Sequence, residues 1–102
     1  MQKLVQMFLR MLPEQLTELR NASTRHDDRA LARMAHMLKG AIANFGTGPA
    51  YASAGRLEQS ARKSAWTEIA SAQFEFEKQL DRLVGELEAY LGQDSSKGKA
   101  AS

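Results

Sequence analysis

One histidine of the sequence stands among residues that could support chemistry on its ring. His36 is followed by Lys39 at i+3 and by Gly40 at i+4. Residues three and four apart are neighbours on a helix surface, so a cation and a residue without a side chain would flank the imidazole. Glycine inside a helix costs up to about 1 kcal/mol relative to alanine. Its place one turn below His36 therefore indicates a purpose, which is open access to the ring.

This arrangement suits a phosphoryl group carried covalently on His36. Histidine is a competent nucleophile and is partly neutral near pH 7. A phosphoryl group brings roughly two negative charges, and its transfer needs in-line access and cations beside the equatorial oxygens. We expect Gly40 to give the access and Lys39 to stabilise the phosphate.

The surrounding helix face supports the same interpretation. At about 100° per residue, His36 lies roughly 140° from the apolar stripe of its helix, so we expect it to face solvent. Its neighbours at i−4 and i+7 are the small residues Ala32 and Ala43, and Arg29 and Arg33 add positive charge to the same face. The sequence thus predicts an imidazole in a shallow clearing with a basic border.

Helical periodicity dominates the chain that must position this site, and no stretch alternates as a strand would. The first apolar stripe is expected to end at Pro13, because proline is tolerated in a first helical turn and not in a helix interior. We therefore predict a short additional N-terminal helix before Pro13 and a longer one after it. The stripe consists of Leu4, Phe8 and Met11 with Val5 and Leu12 beside it, and it continues after the proline with Leu16 and Leu19.

The helix that carries His36 is predicted to run to about Phe45, with Asp27 or Asp28 as its N-cap. Its apolar residues, at alternating spacings of four and three, are Leu31, Ala35, Leu38, Ile42 and Phe45. The segment "GTGP" then ends it, and a helix on Tyr51, Ala54, Leu57 and Ala61 follows.

The last predicted helix begins after Ser64, which we expect to cap it, and ends near Gly92. Its stripe is Ile69, Phe76, Leu80, Leu83, Leu87 and Tyr90, and we expect Trp66 and Phe74 to join the core. His26 is interpreted as an ordinary loop residue. Residues 93–102 have almost nothing to bury and are predicted to be a disordered tail or linker.

Composition limits the class of protein. The chain has 102 residues, which is enough for one domain, and a net charge of +2. It has no cysteine, which excludes disulfides and thiolate metal sites. The basic residues are scattered, and no apolar run approaches the ~20 residues of a membrane span. We therefore expect no nucleic-acid binding and no direct membrane contact.

The predicted fold is an all-α, antiparallel up-and-down four-helix bundle over residues 1–92.

The segment "AHMLKGAIANFG" resembles the signature of histidine-containing phosphotransfer (HPt) domains of bacterial two-component phosphorelays. The matching residues are Ala35, His36, Leu38, Lys39, Gly40, Ala41, Phe45 and Gly46. The resemblance extends to Phe8, Leu12 and Pro13 in the entry helix, to Leu57 and Glu58 after the motif, and to Trp66. Ala41 departs from the family, which often has serine there, and Ile42 stands where a small residue is common.

The resemblance implies that His36 accepts a phosphoryl group on its outer ring nitrogen from a receiver-domain aspartate and passes it to another receiver. Lys39 would steady the phosphate, and Gly40 would provide clearance. No cofactor or metal is expected in this domain, and Mg²⁺ is expected in the partner receiver. The chain would be a cytoplasmic phosphocarrier without an ATP site, either free-standing or the C-terminal domain of a hybrid sensor histidine kinase.

A receiver has to touch the helix surface around His36. That partner-binding surface is predicted to hold Arg29, Ala32, Arg33, Met37, Ala43 and Asn44. The alternative is a non-catalytic scaffold or interaction module, in which His36 is an incidental surface residue and is not phosphorylated.

Overall fold

Four α-helices make up the fold, which is known from a computed structural model. The structure describes residues 1–92 with their side chains and gives the bounds of the last helix as far as Ala101. The helices are α1 (Gln2–Thr24), α2 (Asp28–Ile42), α3 (Pro49–Arg62) and α4 (Trp66–Ala101), with a 3-10 turn at Ala43–Phe45. Within the described chain there is no strand, so the predicted all-α four-helix bundle is confirmed.

Short connections order the helices around one core. Residues 25–27 and 63–65 join the helix pairs at one end, and such short loops place successive helices side by side and antiparallel. Helix α2 packs between α1 and α3, and α3 packs against α4. The most completely buried large side chains include Leu19, Leu38 and Phe76. Helix α2 thus has neighbours on both flanks and one long face toward solvent.

The expected break at Pro13 is wrong, because α1 continues through it as one helix of 23 residues. Pro13 lies on the exposed side, where the missing backbone hydrogen bond can be replaced by water. Phe8, Leu12 and Leu19 are buried on either side of it, so one core holds both halves of α1. The short N-terminal helix is therefore the first part of α1.

The buried stripe of α1 also differs from the expected one. Val5 is buried with Phe8 and Leu12, whereas Leu4 and Met11 are exposed. A rotation of about one residue separates the two stripes, because Leu4 and Val5 stand 100° apart and only one of them can face the core.

Helix α2 begins as predicted. The Asp27 carboxylate accepts a hydrogen bond from the backbone N–H of Ala30 at 3.1 Å, which is an N-cap. Helix α2 ends at Ile42, earlier than expected, and the 3-10 turn carries the chain to Phe45. The Phe45 ring meets the Phe8 ring edge-on, with centroids 5.1 Å apart, so this turn closes α2 against α1.

Two loop residues do more than the sequence suggested. The Ser64 hydroxyl, which was expected to cap α4, donates instead to the carboxylate of Asp28. The His26 ring stacks on Trp66 with centroids 4.1 Å apart. Both residues have positive φ, 56° for His26 and 55° for Ser64. They lie in the two loops at the same end of the bundle and tie those loops together.

The aromatic residues of α4 divide between core and solvent. Phe76 is fully buried, but Phe74 is 73% exposed, Tyr90 is 38% exposed and Trp66 is half-buried. Phe74 and Phe76 are two residues apart and point about 160° away from each other, so only one could enter the core.

The predicted disordered tail at 93–102 lies outside the residues whose side chains are described and stays a prediction. In the described part of the chain, no helix has the length and apolar character needed to cross a bilayer.

The two phenylalanines allow a matched test of the core. Phe76→Ala should lower the free energy of unfolding by about 3–5 kcal/mol, because it leaves a cavity in a packed interior. Phe74→Ala removes the same atoms from an exposed site and should change it by less than about 0.5 kcal/mol. Urea denaturation followed by circular dichroism measures both, and equal losses would contradict the described orientation of α4.

Candidate functional site

His36 lies on the solvent face of α2, and its side chain is 61% exposed. It borders an open depression between α2 and α3, which is lined by Asp28, Arg29, Ala32, Arg33, Ala61 and Arg62. The exposure agrees with the rotation calculated from the sequence. The ring is therefore accessible to a second protein.

A buried glutamate of α3 fixes the orientation of this ring. Oε2 of Glu58 lies 3.1 Å from Nδ1 of His36, and the Glu58 side chain is only 8% exposed. A carboxylate accepts hydrogen bonds and does not donate them, so Nδ1 carries the proton of this bond. In the neutral ring the other nitrogen, Nε2, then holds a free lone pair.

Lys39 contacts the same carboxylate. Its Nζ lies 2.9 Å from Oε1 of Glu58, and 6.0 Å from the centre of the Tyr51 ring. From its spacing, this ammonium was predicted to flank His36 and to stabilise a phosphate on the ring. In the structure the ammonium is held by α3, so it supports His36 through Glu58.

Arg62 is a third partner of the carboxylate. Its Nη2 and Nε lie 2.7 and 3.1 Å from Oε2 of Glu58, the same oxygen that His36 contacts. The Arg62 side chain is 60% exposed and lines the depression beside His36. It is thus the cation of this cluster with the greatest access to solvent.

Open space surrounds Gly40. A Cβ built on this residue would meet no atom within 4 Å beyond its own helix, so neighbouring helices do not require glycine here. Gly40 lies on the exposed face one turn from His36. The predicted role of this glycine, clearance for a partner, stays a prediction.

These features can be compared with known families. The model of the Hpt domain family matches residues 3–96. The chain belongs to the Hpt domain family. Hpt domains are phosphocarriers of two-component phosphorelays rather than catalytic domains, and they typically interact with the receiver domains of response regulators. No curated protein and no solved structure shows a significant match to the chain.

Opposing effects set the ionisation of Glu58 in this Hpt domain. Burial raises the pKa of Glu58. Hydrogen bonds from Lys39 and Arg62, together with the positive charges of Lys39 and His36, outweigh burial and lower the pKa from its usual value to about 2. Glu58 is therefore a carboxylate throughout the physiological range. One negative charge faces two permanent cations, so the cluster keeps a positive charge that favours anions.

The predicted partner-binding residues divide into two groups. Those on the exposed face of α2 and its 3-10 turn are Arg29, Arg33, Met37, Ala43 and Asn44. Ala32 was expected among them but is buried, with 7% exposure. It stands on the side of α2 that faces α3, where it lines the floor of the depression with Ala61.

Sequence analysis missed the parts of the site that α3 supplies. Glu58 appeared there only as a family match, and Arg62 did not appear at all. The pair Glu58 and Arg62 has the i, i+4 spacing of a helical ion pair. That spacing signals a contact within α3, whereas the bond to His36 exists only because α3 packs against α2.

The lowered pKa of Glu58 predicts a dependence of stability on pH. A carboxyl whose pKa falls on folding contributes stability above its unfolded pKa, about 4.3, and that contribution is lost as pH falls through about 2. Glu58→Gln removes it. The variant should be about 1–3 kcal/mol less stable than the wild type at pH 7, and this difference should shrink toward pH 2.

Chemical denaturation at pH 7, 4 and 2.5 measures the effect. Glu88→Gln, an exposed position of α4, is the matched control and should follow the wild type at every pH. A wild type and Glu58→Gln variant with equal stability at pH 7 would show that the buried carboxylate is not held as described.

Proposed function

We propose that His36 accepts a phosphoryl group on Nε2 from the aspartyl phosphate of one receiver domain and donates it to an aspartate of another. The observation that carries this proposal is the bond between Nδ1 of His36 and the buried Glu58 carboxylate. That bond directs the unprotonated nitrogen away from α3. Membership of the Hpt family supports the same chemistry.

The proposed transfer is a substitution at phosphorus. The Nε2 lone pair attacks the phosphorus, a P–N bond forms, and the P–O bond to the aspartate breaks, with its electrons remaining on the leaving carboxylate. Nδ1 keeps its proton, so the phosphorylated ring carries a positive charge. Glu58 lies 3.1 Å from Nδ1 and stabilises that charge. The reverse sequence of bond changes delivers the group to the next receiver.

Two cations share the stabilisation of the phosphoryl oxygens. Arg62 is exposed beside His36 and has a planar guanidinium with five N–H donors, so it can contact Glu58 and a phosphoryl oxygen together. Lys39 is less exposed, at 26%, and holds the other carboxylate oxygen. It keeps Glu58 in place as Arg62 turns toward the phosphate, and it contributes its own charge to the site.

The receiver supplies the remaining chemistry. Its Mg²⁺ stays in the receiver domain, and this chain contributes no nucleotide site to the reaction. The exposed residues of the α2 face form the contact surface, with Arg29 and Arg33 favouring an acidic partner. We propose that the domain acts in the cytoplasm, either as a separate phosphocarrier or as part of a hybrid histidine kinase.

Replacing His36 tests the phosphorylation site. His36→Gln should abolish phosphoryl acceptance from a phosphorylated receiver, because it removes the nucleophile. The free energy of unfolding should fall by less than about 1 kcal/mol, since the side chain is exposed and makes one hydrogen bond. The measurement is the transfer of ³²P to the chain, with the phosphate identified by its lability in acid and stability in alkali.

His26→Gln is the control, because it changes the other histidine of the sequence, and it should retain full acceptance. Labelling that persists in His36→Gln and disappears in His26→Gln would place the site at His26. A wild type that no receiver labels would favour the scaffold alternative.

Two substitutions of Gly40 separate packing from access. Gly40→Ala and Gly40→Leu should both fold, and stability should rise by up to about 1 kcal/mol, because a Cβ meets open space and both residues favour helix. Transfer from a receiver should survive in the alanine variant and fall at least about tenfold in the leucine variant, whose side chain obstructs the approach to His36. Stopped-flow or quenched-flow transfer assays measure this, and equal rates in both variants would refute the role in access.

A further inference from the structure

The solvent side of α4 carries an aromatic ring that nothing in the domain covers. Phe74 is 73% exposed, more than any other large apolar residue of the described chain. One exposed apolar residue needs no explanation by itself, but the residues around this ring fit a partner. We call the exposed residues on this side the outer face of α4; they are Thr67, Ala70, Ser71, Phe74, Lys78, Asp81, Gly85, Glu88, Ala89 and Gly92.

A glycine lies on the outer face three turns after the ring. Eleven residues separate Phe74 from Gly85, which is close to three helical turns, so the two residues point the same way. Glycine is among the least favourable residues in a helix interior. A Cβ built on Gly85 would meet no atom within 4 Å beyond its own helix. Packing inside the domain therefore does not explain Gly85, and its bare backbone leaves a recess on the surface.

Uncompensated charges lie between the ring and the recess. Lys78 and Asp81 are on the outer face, and Arg82 lies at its edge on the same side as Glu75. In the described part of the chain, none of Lys78, Asp81 and Arg82 belongs to an ion pair. These charges are therefore available to a partner.

The outer face is complementary to a second copy of itself in the opposite direction. Its central residues are spaced alternately by four and three, which is the seam of a helix pair. A two-fold axis level with the midpoint of Gln79 and Leu80 makes two α4 helices antiparallel. The residues that are then level with each other are Phe74 and Gly85, Lys78 and Asp81, Ser71 and Glu88, and Thr67 and Gly92.

Each of the central contacts in this register is favourable. The Phe74 ring enters the recess over Gly85 of the second copy, and Lys78 faces Asp81. At the edge of the seam, Arg82 comes beside Glu75 of the second copy. The two-fold axis repeats every contact, so an isologous pair makes each of them twice.

Other arrangements lose this complementarity. In a symmetric parallel pair each residue meets its own copy, so that Lys78 faces Lys78 and Asp81 faces Asp81. An antiparallel pair shifted by one heptad sets Phe74 against Lys78 in one direction and Arg82 beside Arg82 in the other. Like charges in contact disfavour wrong partners, so the charges select one orientation and one register.

We propose that two copies of this chain associate through the outer faces of α4, antiparallel about a two-fold axis. Helix α2 packs between α1 and α3, whereas α4 packs against α3 and α1, so α4 lies across the core from α2. His36 of each copy stays exposed, and the dimer presents two separate rings. The proposal does not rest on phosphoryl transfer, because no contact in it involves His36.

The size of the outer face sets the strength of the association. From Thr67 to Gly92 it is about 38 Å long, and a helix is about 12 Å wide, so each copy covers roughly 450 Å². A standard interface buries about 800 Å² on each partner. We therefore expect a weak, reversible dimer with a Kd on the order of 10–100 μM.

Sedimentation equilibrium of the whole chain tests the dimer. The wild type should pass from mainly monomer to mainly dimer between about 5 and about 500 μM. Gly85→Leu should fold, since a Cβ there meets open space, and should raise the Kd at least about tenfold, because its side chain fills the recess that receives Phe74. Gly40→Leu is the matched control: it makes the same change at a glycine of α2 with open space and should keep the wild-type Kd. A wild type that stays monomeric throughout would overturn the proposal.

A charge exchange tests the pairing. Lys78→Asp and Asp81→Lys should each raise the Kd at least about fivefold, because like charges then face each other twice in the dimer. The double variant Lys78→Asp/Asp81→Lys restores opposite charges and should return to within about twofold of the wild-type Kd. A double variant as weak as the single ones would show that these residues do not face each other.

A distance between spin labels tests the orientation and register. The chain has no cysteine, so Glu68→Cys, at an exposed position beside the seam, provides one label in each copy. Residue 68 is level with Leu91 of the second copy, which places the two labelled Cα atoms about 36 Å apart. A parallel pair would give about 10 Å, and a shift of one heptad would change the distance by about 10 Å. Electron paramagnetic resonance measures it, and a distance that matches the parallel or a shifted pair would contradict the proposed dimer.

Discussion

The site depends on one buried carboxylate that three other side chains share. Glu58 accepts hydrogen bonds from the Nδ1–H of His36 and from the guanidinium of Arg62, and it forms an ion pair with the ammonium of Lys39. A charge removed from water is costly unless it is paired and hydrogen-bonded. Oε2 accepts the hydrogen bonds of His36 and Arg62, and Oε1 is paired with the Lys39 ammonium at 2.9 Å. Because His36 and Lys39 belong to α2 whereas Glu58 and Arg62 belong to α3, the same contacts orient the imidazole and join the two helices.

The bundle gives this carboxylate its rigid setting and gives His36 its exposure. Helix α2 is packed on two flanks and anchored at its start by the Asp27 cap. Its remaining face is free for a protein partner. A reactive group on a helix whose position is fixed by packing keeps its geometry from one partner to the next, which loops provide less well. The proposed carrier chemistry at His36 therefore has a fixed helix as its support.

Local sequence determined the helices, the α2 cap and the solvent-facing side of His36, since these depend on periodicity and spacing within one segment. Spacing also put Lys39 at i+3 and Gly40 at i+4 from His36, and their roles toward a phosphoryl group stay predictions. The same reasoning failed for α1, where neighbouring apolar residues compete for one core position and where a proline lies inside the helix. Val5 is buried where Leu4 was expected. Helix α1 continues through Pro13, where a break was expected. In both cases the packing of the whole helix outweighs one local preference.

Tertiary structure alone decided what surrounds the ring. Glu58 stands 22 residues after His36, and no spacing rule connects residues of different helices. Lys39 pairs with the same Glu58 carboxylate that contacts His36, a contact between helices that its position at i+3 does not reveal. Ala32 was expected to face solvent and is buried, whereas Phe74 was expected in the core and is exposed. Burial depends on which neighbouring helix covers each face, and the sequence of a single helix does not contain that information.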